Sequence, residues 1–296
     1  MSSWRSLTVR HPAQLGLSRR SRIKKASVHM QVRVSDKRIC LPMLRTFTVG
    51  NVKLTVKIRP DLGNGGLVWP STFFLADHLR NSISLRGISI AELGAGTGLL
   101  GIWAATQGAH VVLTDLAELV PLITENVLLN QDQISAGGGS VQVEALLWGD
   151  KTEIPVSVTD SSVIVGSDLV HWIAFTLFDD DTRSLLCQTM WRLLQRSDKK
   201  IYLSYEVRTQ QREAQFLLMI NDVGLRAHQE KKLSYSPSDG GGVAAGSDFS
   251  FNTVGACAND CSGLSSESMC FTTQSSTDLD SDMRDVVILA ITGVFN

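Results

Sequence analysis

AELGAGTGLLG, residues 91–101, follows the apolar run Ile88–Leu93 and opens the helical pattern Thr97–Gln107. A strand, a glycine loop and a helix in that order make the first half of a βαβ unit. Gly94, Gly96 and Gly98 let the backbone turn tightly, and a Cβ at these positions would collide with a ligand lying against the loop. Asp115 ends the next apolar run, Ala109–Thr114, 19 residues after Gly96. A carboxylate there is placed to accept hydrogen bonds from ribose hydroxyls. Glycines used only for helix–strand packing are the bland alternative, but strand, helix and downstream acid together favour nucleotide binding.

Working outward, Thr46–Ile58 alternates about Gly50-Asn51, a dipeptide suited to a two-residue hairpin turn. The segment GLVWPSTFFLADHLR, ending at Arg80, follows, with Pro70 at a first helical turn. Downstream, Leu116–Asn130 reads as a helix, and Val141–Leu147 and Val163–Ser167 as strands. Asp181–Gln195 reads as a helix, Lys200–Tyr205 as a strand, Gln210–Val223 as a helix and Asp285–Thr292 as the last strand. The expected class is α/β: a Rossmann-like, seven-stranded, mainly parallel sheet with helices on both faces, plus an N-terminal β-hairpin.

The chain has 296 residues and a formal net charge of −1, which conceals a segregation. Residues 1–35 carry eight Lys/Arg and no acid, whereas 233–283 carry seven acids, 12 Ser, six Gly and no Lys or Arg. What remains holds 20 basic and 22 acidic residues, a balance that calls for neither nucleic acid nor an anionic membrane. No run of 18 uncharged apolar residues exists to cross a bilayer. Residues 1–39 read as a basic tail, disordered or a transit peptide, and 40–296 as the α/β domain. Within that domain, 233–283 read as a disordered acidic Ser/Gly-rich insertion. A cytoplasmic location is expected, with mitochondrial import by the basic tail as the alternative. Five cysteines at irregular spacings (Cys40, Cys187, Cys257, Cys261 and Cys270) match neither a disulfide framework nor a zinc pattern, so no metal is expected.

The nucleotide is less constrained than its loop. Gly96-x-Gly98-x-x-Gly101 satisfies the dinucleotide pattern, which keeps an NAD(P)-dependent oxidoreductase open. Glu92, however, turns the stretch into E-x-G-x-G-x-G, which resembles motif I of class I S-adenosylmethionine (SAM)-dependent methyltransferases. An acid beside the loop favours a ligand carrying sulfonium and ammonium groups and disfavours pyrophosphate.

Further segments sharpen that resemblance: LVWPS at 67–71, TDLAELVPLITENVLLN at 114–130, LLWGD at 146–150, SDLVHW at 167–172 and SYEVR at 204–208. Together they resemble the seven-β-strand protein-lysine methyltransferases of the methyltransferase-like group, over residues 46–232 plus the final strand. The resemblance implies a SAM-dependent N-methyltransferase acting on a lysine of a protein: a chaperone, an AAA ATPase or a translation factor. A monomer is expected. The resemblance implies that Trp69 borders the cofactor, that Gly94, Ala95 and Gly96 lie under its methionine and ribose, and that Trp148 lies near the adenine. Ser167, on the cofactor side, precedes the family's Asp-x-x-Tyr motif, whose aspartate is Asp168; His171 stands where the tyrosine usually does, and the resemblance implies that Asp168 and His171 are the catalytic residues. That departure motivates a competing reading, a catalytically inactive SAM-binding interaction module. Read without the family, Trp69 and Trp148 are core aromatics or site residues, Asp168 a helix cap or a crevice carboxylate, and His171 a surface or site histidine. Glu206 and Arg208 line the substrate mouth or pair with each other.

Overall fold

The computed structural model describes residues 42–170, 179–195, 199–235 and 283–293. The hairpin consists of β1 (Met43–Val49) and β2 (Val52–Ile58), paired in register across Gly50-Asn51 with Val49 opposite Val52. A 3-10 turn, Pro60–Gly66, leads to α1 (Ser71–Ser82), with Pro70 immediately ahead of the helix as expected. The alternating part is β3 (Ser89–Leu93), α2 (Leu99–Thr106), β4 (His110–Asp115), α3 (Val120–Leu129), α4 (Gln131–Gly137) and β5 (Ser140–Ala145). It continues with α5 (Val156–Thr159), β6 (Val163–Ser167), α6 (Asp179–Leu194), β7 (Lys200–Glu206), α7 (Gln210–Asp222), β8 (Leu225–Tyr235) and β9 (Arg284–Gly293).

The seven strands run in the order β5-β4-β3-β6-β7-β9-β8. All pairings are parallel except those of β9, which is antiparallel to both neighbours. The chain winds from β3 outward to β5, then returns to β6 and winds the other way. The switch point therefore lies between β3 and β6, and it is outside the carboxyl ends of such strands that open α/β sheets bind ligands. One apolar cluster packs α1, α2, α3 and the hairpin on one face; the other packs α6 and α7 on the opposite face.

Two expectations change. The helix expected over 116–130 is α3, which begins only at Val120, and an unanticipated helix, α4, follows it after Asn130. Strand β8 went unrecognised because LRAHQEKKLSY has little apolar alternation; it is the sheet edge, where lysines such as Lys231 and Lys232 discourage further pairing. β8 also takes in Leu233–Tyr235, the first three residues of the expected insertion, whereas β9 begins at Arg284, just beyond its end. Residues 236–282 and the basic tail 1–39 lie outside the described residues.

The junction at Asn130 is anchored to the hairpin. Asn126 and Asn130, one helical turn apart, both grip the backbone of β2. Asn130 accepts from Thr55 N–H at 3.0 Å and donates to Thr55 O at 2.8 Å. Asn126 accepts from Lys57 N–H at 2.6 Å and donates to Lys57 O and to Thr97 O in the glycine loop. Both side chains are fully buried, so the two amides substitute for a sheet partner along β2. Asn126→Ala strands buried polar groups on two segments, and a loss of about 2–4 kcal/mol is expected. Urea denaturation checks it; an unchanged midpoint would show that the hairpin docks by apolar contact alone.

Candidate active site

Glycine positions at the loop are set by backbone geometry. Gly94, Gly96 and Gly98 have φ of 60°, 58° and 79°, the left-handed region where a Cβ is penalised. Such a Cβ would also meet protein atoms, a second demand for glycine beside the expected ligand clearance. At Gly94 it would come within 2.5 Å of Leu169 and 3.2 Å of the Trp148 ring, and at Gly96 within 3.0 Å of the Gly65 carbonyl. Gly101, the last glycine of the literal dinucleotide pattern, lets α2 pack on the sheet, since a Cβ there would lie 2.2 Å from Leu113.

Two carboxylates hold this loop from below. Glu92, 1% exposed, accepts the Gly101 N–H at 2.8 Å. Burial pushes its pKa from 4.5 up to about 8; the Gly101 N–H works against that rise, while the nearby Asp115 carboxylate adds to it. Asp115 accepts the Gly96 N–H through Oδ2 and the Leu116 N–H through Oδ1, both at 2.7 Å. Its pKa is raised by burial, and the same two N–H groups hold the rise down. An ionised carboxylate has about four acceptor positions, so two remain for ribose hydroxyls. Asp115 clips the loop to the end of β4, which spacing did not reveal.

A cleft opens above the loop. Its walls include Trp69, Thr72, Glu92, Gly94, Ala95, Gly96, Ser167 and Asp168. The expected cofactor residues Trp69, Glu92, Gly94, Ala95, Gly96 and Ser167 are therefore brought together with the expected catalytic Asp168. Asp115 and Trp148 stand just outside the cleft wall, Asp115 under the loop and Trp148 against Gly94. His171 lies outside the described residues.

The opposite wall is a strap, Asn64–Trp69. Trp69 donates its indole N–H to Asn64 O at 3.0 Å, and the Arg208 guanidinium sits 5.9 Å above its ring. The Thr72 hydroxyl meets the Ser167 hydroxyl at 2.9 Å, tying α1 to the end of β6. Thr72 and Asn64 were not anticipated: the partner of Thr72 is 95 residues away, and Asn64 takes part through its backbone carbonyl, which side-chain chemistry does not announce.

Asp168 carries the plainest sign of function. It is 3% exposed and, among the described residues, the one non-glycine with positive φ, at 55°. Such strain costs about 1–3 kcal/mol and clusters at active sites. Its N–H donates to Ser204 O at 2.7 Å, and its Oδ1 receives the Glu206 N–H at 3.4 Å. These bonds to the neighbouring strand aim the carboxylate where β6 ends, at the switch point. Glu206 and Arg208 do pair, at 2.9 Å. Cys187 is buried, with its thiol pushed up to about 12, and is no nucleophile at neutral pH.

The donor set suits a cationic cofactor. Glu92 and Asp168 face the cleft and Asp115 supports its floor. Ionised, these carboxylates are hostile to a pyrophosphate and favourable to sulfonium and ammonium groups, and a cation beside Glu92 draws it toward the ionised form. Residues 50–223 match the family model described as lysine methyltransferase. Protein N-lysine methyltransferase METTL21A of Mus musculus is 32% identical over 198 residues, 66% of this chain and 83% of that protein. EEF1A lysine methyltransferase 3 of Xenopus tropicalis is 32% identical over 159 residues, 53% of this chain and 64% of that protein. Methyltransferase-like protein 22 of Homo sapiens is 33% identical over 141 residues, 45% of this chain and 35% of that protein. With the acidic cleft at the switch point and the family match across most of the sheet, the chain belongs to the lysine methyltransferase family and is a SAM-dependent protein-lysine N-methyltransferase.

Proposed function

We propose that Asp168 aims and deprotonates the acceptor lysine, and that Glu92, Gly94, Ala95, Gly96, Asp115, Trp148, Trp69 and Ser167 form the cofactor side. SAM, when bound, supplies a methyl group on a sulfonium, open to in-line attack. A free lysine has a pKa of about 10.4, so its amine must lose a proton before it can attack. The Asp168 carboxylate accepts an Nζ–H hydrogen bond, turns the nitrogen lone pair toward the cleft, and provides the proton's first stop. The Trp69 strap and the loop exclude water, so positioning and desolvation supply most of the rate gain. The observation that carries this reading is the strained, buried Asp168 in a wall of the cleft that the glycine loop floors.

The substrate is a protein, and we assign it to the chaperones, AAA ATPases and translation factors. The name of one relative, EEF1A lysine methyltransferase 3, supports the last of these. Radiolabelled SAM added with the purified protein to a lysate of cells lacking the gene tests the assignment. A labelled band of one of these classes, identified by mass spectrometry, is expected. Label confined to proteins of other classes would refute the assignment. We further propose a monomer that acts in the cytoplasm and engages neither nucleic acid nor membrane, in keeping with the nearly even charge between the termini. Light scattering and a fluorescent fusion of residues 1–35 check the first two; dimer mass or mitochondrial signal would correct them.

Glu92 gives a pH prediction. Between about 4.5 and about 8, the folded chain holds a proton that the unfolded chain has released. Stability of the cofactor-free protein should therefore fall as pH rises through that window. A cation bound beside Glu92 favours its ionised form, so SAM binding should release a proton and tighten from pH 6 toward about 8. Calorimetry in two buffers of different ionisation enthalpy reads this directly. Equal heats, or an unchanged proton count in Glu92→Gln, would remove Glu92 from the linkage.

A further inference from the structure

Glu206 ends β7 with its side chain 3% exposed, and three donors converge on its carboxylate. Tyr235 donates to Oε2 at 2.9 Å, Arg284 to Oε1 at 3.1 Å and Arg208 to Oε1 at 2.9 Å. Tyr235 and Arg284 face each other in register at the ends of β8 and β9. Packing does not require a charged cluster here, since a buried carboxylate must recover a large desolvation cost from its partners. Its geometry fixes the direction of one of them. Arg208 is about one-third exposed, and a long cation at a cleft mouth ordinarily samples many rotamers. Tied to Glu206, its guanidinium stays over the face of Trp69. Trp69 in turn bonds to Asn64, and the neighbouring Gly65 carbonyl lies against Gly96. The chain of contacts runs from the ends of β8 and β9 to the glycine loop.

We propose that Glu206 is a positioning residue of the methyl-transfer site: it holds Arg208 on Trp69 and so keeps the Asn64–Trp69 strap closed over the cofactor. This rests on reading the cleft as the SAM site. A cation held on a tryptophan face by a fixed carboxylate adds rigidity to a strap that otherwise bonds mainly to itself. Glu206 touches neither reactant in this scheme; its influence passes through Arg208.

The test is a double-mutant cycle on the full chain with Glu206→Gln and Arg208→Ala, reading SAM affinity by calorimetry, steady-state constants and Tm. Glu206→Gln keeps the size and the acceptor for Tyr235 but loses the charge. Each single change is expected to weaken SAM binding about 3- to 10-fold, with the double variant no weaker than either. KM for SAM should rise by the same factor, while kcat at saturating SAM stays near wild type. Tyr235→Phe removes one bond to the same carboxylate while sparing Arg208, and should lower Tm with little effect on affinity. Additive effects, unchanged affinity in Arg208→Ala, or equal weakening by Tyr235→Phe would overturn the proposal. If Glu206→Gln fails to fold, Arg208→Ala against Trp69→Phe completes an equivalent cycle. A wild-type protein that binds no SAM would instead refute the cofactor reading itself.

Discussion

Replacing Asp115 by alanine is expected to weaken SAM binding about 10- to 150-fold. The figure follows from losing hydrogen bonds to a charged acceptor, about 1.5–3 kcal/mol in binding. The structure adds a second consequence. The Gly96 N–H, buried beside the carboxylate at 2.7 Å, loses its acceptor, and the clip between loop and β4 opens. An orphaned buried donor costs about 1–3 kcal/mol, so the cofactor-free protein should also melt several degrees lower. Asp115→Asn separates the two effects, because its amide oxygen still accepts from Gly96 while its NH2 opposes the Leu116 N–H. Calorimetry and a melt on both variants settle the matter. Alanine with wild-type SAM affinity would mean that Asp115 serves the loop alone.

How far the site could be read in advance depended on the range of the interaction. The hairpin, β3 to β7 and β9 were legible because apolar runs and helical periods alternate locally, and Gly50-Asn51 announces its own turn. β8 was not: an edge strand with one wet face keeps few apolar residues, and LRAHQEKKLSY carries more charge than alternation. The glycine loop was recognised, but part of its reason was not legible. Positive φ and the closeness of Leu169, Trp148 and Gly65 demand glycine there, and those neighbours come from other segments. Asp115 was found by its spacing, while its grip on the Gly96 N–H depends on how β3 and β4 pair. The Asn126 and Asn130 clamp and the Glu206–Arg208–Trp69 chain are tertiary through and through. Their residues look like ordinary helix and loop polar groups until β2 and β7 are in place.

Asp168→Asn is expected to slow single-turnover methyl transfer about 100- to 10,000-fold while leaving SAM affinity within a few-fold. The range is that of a positioned acid–base group. Asparagine is the informative substitution because it tolerates φ near 55° and still offers Oδ1 to the Glu206 N–H. Only the charge that orders the lysine amine and receives its proton is removed. Asp168→Ala adds a different loss, since a left-handed alanine is strained by about 1–2 kcal/mol, so lower activity there mixes chemistry with folding. A transition-state role predicts that the rate falls with little change in binding. The ordinary acidity of the lysine makes a further demand: raising pH should partly restore Asp168→Asn, as solvent takes over the deprotonation. Paired measurements on the two aspartates discriminate sharply, with Asp115→Ala failing in binding and Asp168→Asn failing in rate. If Asp168→Asn instead abolished SAM binding while turning over normally at saturating SAM, Asp168 would belong to the cofactor side and another group would receive the proton.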